Sequence, residues 1–307
     1  MGVLAVAGGT GDVGRTIVDQ LIISGKHKVV VLCRKVSAAP NPDGPECLAV
    51  NYDEIEETAK ALQSCSVDTI ISAVNADGPG HQAQLNLIAA AEKSSTVKRF
   101  IPSEYAGYVP TSNAEEADEM TANTLQTAKA LEKSGLKYTR FAIGVFMDYF
   151  GQPHIPSHLR PFKWALDIES RRAAIPGTGN EVLSMTYSKD VARFVDRLVD
   201  EDEWPEVSIV SGSDTTLNEM VAIAERVTGD KFNVTYDSLE ELKAGKATVV
   251  SKSDGSYNGI DPVMIAAIVG TSLAEGKAML PKDGRLAFPD LQPMSVEELI
   301  TQAWSKN

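Results

Sequence analysis

Val3-Leu4-Ala5-Val6-Ala7-Gly8-Gly9-Thr10-Gly11-Asp12-Val13-Gly14 opens the chain after two residues, and its reading decides the fold. The first five residues are an apolar strand. A helical pattern of Ile17, Val18, Leu21, Ile22 and Ile23 follows the glycines at once. Strand, glycine turn and helix N-terminus in that order are what a dinucleotide pyrophosphate needs. The glycines let the backbone approach the phosphates, and the helix N–H groups and dipole stabilise their charge. Gly9, Gly11 and Gly14 satisfy a G-x-G-x-x-G spacing, and Gly8, Gly11 and Gly14 a G-x-x-G-x-x-G spacing. The plain alternative is an ordinary glycine-rich turn between a strand and a helix.

Outward from that stretch, strands and helices alternate to about residue 145. Lys28–Cys33 reads as a second strand, Leu48–Tyr52 as a third and Asp53–Leu62 as an amphipathic helix. Val67–Val74 is an apolar strand, Gln84–Ala91 lies in a helix, and Val97–Pro102 is a fifth strand. A long helix carrying Leu125, Ala128 and Leu131 precedes a sixth strand, Tyr138–Ile143. Near-continuous apolar strands between helices predict an α/β fold, a Rossmann doubly wound parallel sheet with helices on both faces. Ligands of such sheets bind at the carboxyl ends of strands one, four and five. That places Gly8–Gly14, Ala73-Val74-Asn75 and Ser103-Glu104-Tyr105 at one edge. The expected organisation is a dinucleotide-binding domain over 1–150, with later segments returning to it, and a smaller α+β substrate domain over 151–307. In the second part Thr216/Glu219, Ser238/Glu241 and Ser295/Glu298 have capping-box spacing and mark three helix starts.

The 307 residues, 43% hydrophobic and 23% charged, have the composition of a globular protein. A net charge of −13 argues against nucleic acid and anionic membranes as partners, since both need a basic surface. No apolar run approaches a membrane span. Cys33, Cys47 and Cys65 are odd in number and lack zinc-type spacing, so a reducing, cytoplasmic setting and no metal site are expected. The pattern leaves the oligomeric state open.

The second strand narrows the nucleotide. An NAD-selecting fold ends that strand on a carboxylate for the ribose 2′-hydroxyl. This chain has Cys33-Arg34-Lys35 there. A guanidinium fork suits a 2′-phosphate, with Lys35 and Arg15 adding positive charge, so NADP(H) is expected. Asp53 is either an adenosine contact or a helix cap.

Gly8–Gly14, Arg34, the run Lys98-Arg99-Phe100-Ile101-Pro102-Ser103-Glu104-Tyr105, and Lys137-Tyr138-Thr139-Arg140 with Phe146 and Tyr149 resemble the NmrA-like atypical short-chain dehydrogenases, close to the isoflavone reductase-like enzymes. The resemblance extends to Thr186–Ala192 and thins beyond residue 200; Ile175–Gly179 resembles fungal members linked to secondary metabolism. It implies a Rossmann domain, a smaller substrate domain and NADP(H) as cofactor. It also implies a lysine on the helix after the fifth strand, with a tyrosine four residues before it in ordinary short-chain dehydrogenases. Those positions fall on Thr124 and Met120, and neither can deliver a proton near neutral pH. Lys129, five residues on, points to another side of the helix.

Three readings follow. One is an NADP(H)-dependent oxidoreductase of a bulky apolar small molecule, with its proton donor relocated or unneeded, as in hydride addition to an iminium carbon. The others are a non-catalytic NADP(H) sensor and a lyase or isomerase retaining the nucleotide. Candidate catalytic groups are Tyr105, Tyr108, Ser103 and His154, with His158 in the same Pro-rich loop. Phe146, Tyr149, Phe150 and Trp164 are candidates for substrate lining. For each, the plain alternative is a turn, a solvated loop or ordinary core.

Overall fold

A computed structural model describes residues 1–35, 44–75, 78–112, 119–250 and 261–305, the side chains of Pro79, Glu119 and Met120 excepted. It divides into two compact units. The first is Met1–Ala142 with Val191–Val210 and Gly284–Leu286. The second is Ile143–Asp190 with Ser211–Asp283 and Ala287–Asn307.

In the first unit β1 (Val3–Ala7), α1 (Asp12–Ser24), β2 (Lys28–Cys33), β3 (Glu46–Ala49), α2 (Ile55–Ser64), β4 (Thr69–Ser72), α3 (Pro79–Lys93), β5 (Arg99–Ile101), α4 (Glu119–Lys133) and β6 (Lys137–Tyr138) follow one another. The strands form one parallel sheet in the order β3-β2-β1-β4-β5-β6. This is the Rossmann order, and it reverses between β1 and β4. Leu4, Ala5, Val6 and Ala7 are fully buried, as a central strand covered on both faces must be. Ala59 and Leu62 of α2, Leu87 and Ala91 of α3 and Leu131 of α4 cover one cluster with Ala5, Ala7, Ile70 and Phe100.

Two boundaries differ from the sequence pattern for local reasons. The third strand stops at Ala49 because its partner Cys33 ends β2. The next helix starts at Ile55, not Asp53, because Asn51 accepts the Asp53 N–H on its side chain and the Glu54 N–H on its carbonyl, forming a turn. The expected sixth strand is split at Thr139. Lys137–Tyr138 stays beside β5, while β7 (Arg140–Ala142) leaves the main sheet.

The second unit begins with β8 (Val145–Phe146), α5 (Asp148–Gly151), β9 (Leu166–Asp167), β10 (Arg172–Pro176) and β11 (Val182–Thr186). The chain then returns through α6 (Ser188–Leu198) and β12 (Val207–Ile209), which pairs with β7. Thr139 Oγ1 and Ser208 Oγ hydrogen-bond at 2.8 Å where the strand splits. Arg99 donates to the Val199 carbonyl and lies over the Trp204 ring, so this returning segment is part of the first unit's core. The second unit is completed by β13 (Ser213–Thr216), α7 (Leu217–Thr228), β14 (Asn233–Asp237), α8 (Leu239–Lys243), α9 (Pro262–Ala274) and α10 (Val296–Trp304). Its two small sheets run β14-β10-β9 and β13-β11-β8. All three expected capping boxes form, at Thr216, Ser238 and Ser295.

Candidate functional site

The glycine loop leaves β1 at its carboxyl end, beside the point where the strand order reverses. Gly8 has a left-handed φ of +74°, and a Cβ on it would lie 2.4 Å from the Ala73 carbonyl oxygen. A Cβ on Gly14 would lie 2.2 Å from the Gly8 oxygen, so α1 can start this close to the strand only with glycine there. Gly11 is different. A Cβ there would meet only the Gly8 oxygen, at 3.4 Å, and the Gly11 N–H closes the turn onto that oxygen at 2.9 Å. Gly11 is the N-cap of α1 and no side chain caps the helix. Thr10 and Gly11 are exposed, and Asp12 and Val13 half-buried. An uncapped helix N-terminus behind a glycine turn is an anion cradle, and its shape fits a pyrophosphate.

At the end of β2, Arg34 and Lys35 are exposed. Within electrostatic reach of Cys33 and Arg34 lies Tyr52, whose hydroxyl is pushed up to about 12 by burial and by the Cys33 thiol, with Arg34 opposing. Asp53 is exposed and caps no helix. In sequence Tyr52 is indistinguishable from the last residue of the third strand, which ends at Ala49 in the structure.

The loops after β4 and β5 are tied together. Ser103 donates its hydroxyl to the Val74 carbonyl at 2.8 Å, and its N–H donates to Gln84 Oε1 at 2.7 Å. Gln84, 1% exposed on α3, also donates to Thr127 of α4. Ser103 is therefore a strut in this structure: its one hydroxyl proton is already used, which leaves none to donate to a substrate carbonyl. Ala73 and Val74 are half-buried and Asn75 exposed along the same edge. Glu104 and Arg140 form a buried ion pair, Nε to Oε2 at 2.7 Å. Burial pushes the Glu104 carboxyl up to about 7 against the pull of the guanidinium. Tyr105 packs against Phe141, and burial holds its hydroxyl above the ordinary tyrosine range. Neither that hydroxyl nor Glu104 Oε1 has a hydrogen-bond partner among the described residues. Tyr108 is exposed.

On α4, Thr124 is half-buried and Lys129 exposed, while the Met120 side chain lies outside the described residues. In the second unit, the lining candidates separate. Phe150 and Trp164 belong to the buried core cluster, whose interior they fill with Met147, Leu183 and Met220. Phe146, also buried, forms an edge-to-face series with the half-buried Tyr149 and Phe162, which pack against that cluster, at 6.3 and 5.4 Å between successive ring centres. Phe162 was not singled out because it follows a proline in an irregular stretch. His154 is exposed and stacks edge-on against Trp304 of α10 at 4.6 Å. The Pro-rich loop is fixed from within its own unit. Fully buried Asp148 accepts from Ser157 and Ser188, and Tyr187 donates to the Pro156 carbonyl. Among the described residues no helix is long and apolar enough to cross a membrane, and no acid, histidine and cysteine cluster could hold a metal.

A Rossmann sheet with a glycine cradle at its switch point defines a dinucleotide-binding α/β protein. The model of the NmrA-like family matches residues 2–251, and the chain belongs to that family. It is 31% identical over 336 aligned positions to the oxidoreductase swnN of Metarhizium robertsii, covering 99% of this chain and 98% of that protein. It is 36% identical to the oxidoreductase BOA1 of Botryotinia fuckeliana, over 75% and 77% of the two chains. Its fold is that of the binary complex of leucoanthocyanidin reductase with NADPH from Vitis vinifera, with a TM-score of 0.75, 19% identity and coverage of 98% and 99%.

Proposed function

We propose that the protein is an NADP(H)-dependent oxidoreductase acting on a bulky apolar small molecule. The observation that carries this reading is the cradle of Gly8, Gly11 and Gly14, closed to any side chain at two positions and free for a ligand at the third. The Gly8–Gly14 loop holds the pyrophosphate, Arg34 and Lys35 the 2′-phosphate, and the edge formed by Ala73, Val74, Asn75 and Ser103 supports the rest of the dinucleotide. When bound, NADPH supplies a hydride from its nicotinamide C4. The half-buried Tyr149 and Phe162, with the buried Phe146 packed edge-on against Tyr149, offer rigid aromatic surface to an apolar substrate. Tyr105 and Tyr108 are the candidate proton donors; Tyr108 is exposed, whereas burial holds the Tyr105 hydroxyl above the ordinary tyrosine range and makes it the weaker acid. With Thr124 at the usual lysine position, hydride addition to an iminium carbon, which leaves a neutral amine without protonation, is the reaction this chain accommodates most simply. The oxidoreductase relatives support the redox reading, and the resemblance of Ile175–Gly179 to fungal members supports a role in secondary metabolism. The three cysteines are free, which supports a reducing, cytoplasmic setting.

Thr124 is also the observation that favours a second reading, a nucleotide-binding regulator without turnover. Label transfer separates the two. The protein is incubated with NADPH deuterated at either face of C4 and with small-molecule extract of its host. A product labelled from one face supports the oxidoreductase. Bound NADPH with no label moved supports the regulator.

A further inference from the structure

Arg140 ends the Lys137–Arg140 run, and nothing in the proposed chemistry uses it. It is 3% exposed, and its fork reaches one loop at two places. Nε donates to Glu104 Oε2 at 2.7 Å, and Nη2 donates to the Val109 carbonyl at 3.0 Å. The same strand bridges Ala142 to Ala106. From the other side Gln84 holds Ser103. Within itself the loop is held by two short turns, Glu104 N–H to the Pro102 carbonyl and Ala106 N–H to the Glu104 carbonyl.

Stability alone is a poor account of this arrangement. Taking both ions of a pair out of water offsets much of their attraction, and apolar residues of similar volume often stabilise as well. Here Glu104 Oε1 is left without a partner among the described residues, as is the hydroxyl of the following residue, Tyr105. What a two-armed guanidinium provides that apolar packing does not is a fixed backbone geometry across the six residues Glu104–Val109.

We propose that Arg140 is a positioning residue: through Glu104 and Val109 it sets the backbone of the stretch that carries Tyr105 and Tyr108, and it touches no reactant itself. This rests on the proposed function, in which that stretch carries the candidate proton donors.

The test compares wild type, Arg140→Lys, Glu104→Ala and Glu104→Gln at saturating NADPH. Four quantities are read: the NADPH dissociation constant, the emission of the bound nicotinamide, the rate of deuterium transfer and the melting temperature. Lysine keeps the charge but cannot hold both anchors. The expected result for Arg140→Lys and Glu104→Ala is an unchanged dissociation constant, altered bound-state emission and transfer slowed by roughly 30-fold or more, as a small misplacement gives. Glu104→Gln, which still accepts from Nε, restores most of both signals. Wild-type emission in Arg140→Lys overturns the proposal, as does a loss that merely follows melting temperature and disappears on cooling. If Arg140→Lys does not fold, wild-type emission in Glu104→Ala overturns it equally. A wild type that binds NADPH but moves no label defeats the oxidoreductase reading alone, because the emission comparison still decides for or against Arg140.

Discussion

Gly14 sits so close to Gly8 that a single methyl group on it would overlap the Gly8 carbonyl, whereas Gly11, three residues earlier, has room for one. The two glycines therefore answer different questions. Gly14→Ala overpacks the strand–helix junction and should lower stability by about 1–3 kcal/mol along with NADPH affinity. Gly11→Ala should cost less than about 1 kcal/mol in folding and still weaken NADPH by roughly tenfold, one lost contact's worth. Melting temperature and NADPH titration on both variants check this. Equal affinity in wild type and Gly11→Ala would mean the phosphates lie elsewhere.

Arg34 should discriminate between the nucleotides. Arg34→Ala is expected to raise the NADPH dissociation constant by about 10- to 100-fold, the worth of a charge-assisted hydrogen bond, and to leave NADH unchanged. Fluorescence titration with each nucleotide reads the difference. Parallel losses for both would move Arg34 off the 2′-phosphate.

Glu104 gives a pH dependence whose sign can be worked out. Its carboxyl rises from 4.5 in the unfolded chain to about 7 in the native one. Between those values the native state holds the extra proton, so stability falls as pH rises through that window and the loss is complete above it. The total is on the order of 3 kcal/mol. Asp148, also pushed up by burial, acts in the same direction. Denaturant melts between pH 4.5 and 8 should therefore show a downward slope that Glu104→Gln flattens in part. An unaltered slope in that variant would assign the dependence to other groups.

Gln84 is the hinge pin of the edge. Gln84→Leu leaves the Ser103 N–H and Thr127 without their partner and should cost about 1–3 kcal/mol. Gln84→Glu keeps the acceptor for Ser103 and should lose less NADPH affinity than Gln84→Leu. Identical affinity in the two would show that Ser103 needs no anchor.

The sheet of the first unit and three helix starts of the second are legible because their signals are local or periodic. The glycine spacing and the apolar run of Val29–Leu32 in the first, and the capping pairs at Thr216, Ser238 and Ser295 in the second, each encode structure within a few residues of themselves. What the sequence hid depends on partners far along the chain. Arg140 read as one cation in a strand, yet it is buried against residues 31 and 36 positions away. Gln84 read as an ordinary helix residue, and its value lies in reaching Ser103. Phe150 and Trp164 looked like substrate lining because bulk near a loop is the same in sequence whether it fills a core or coats a site. His154 looked chemical for the same reason and lies against Trp304.

The return of Val191–Val210 to the first unit has a consequence for how the chain is made. Arg99 waits for the carbonyl of Val199 and the ring of Trp204, and β7 waits for β12. Those partners leave the ribosome a hundred or so residues after Arg99, when the sheet from β1 to β6 has long been synthesised. The nascent nucleotide-binding half thus emerges with one side of its core unfilled and its β7 edge bare. It is closed only by a segment encoded beyond the start of the next unit, so a chain terminated at Ala142 would carry the whole glycine cradle on an unfinished body.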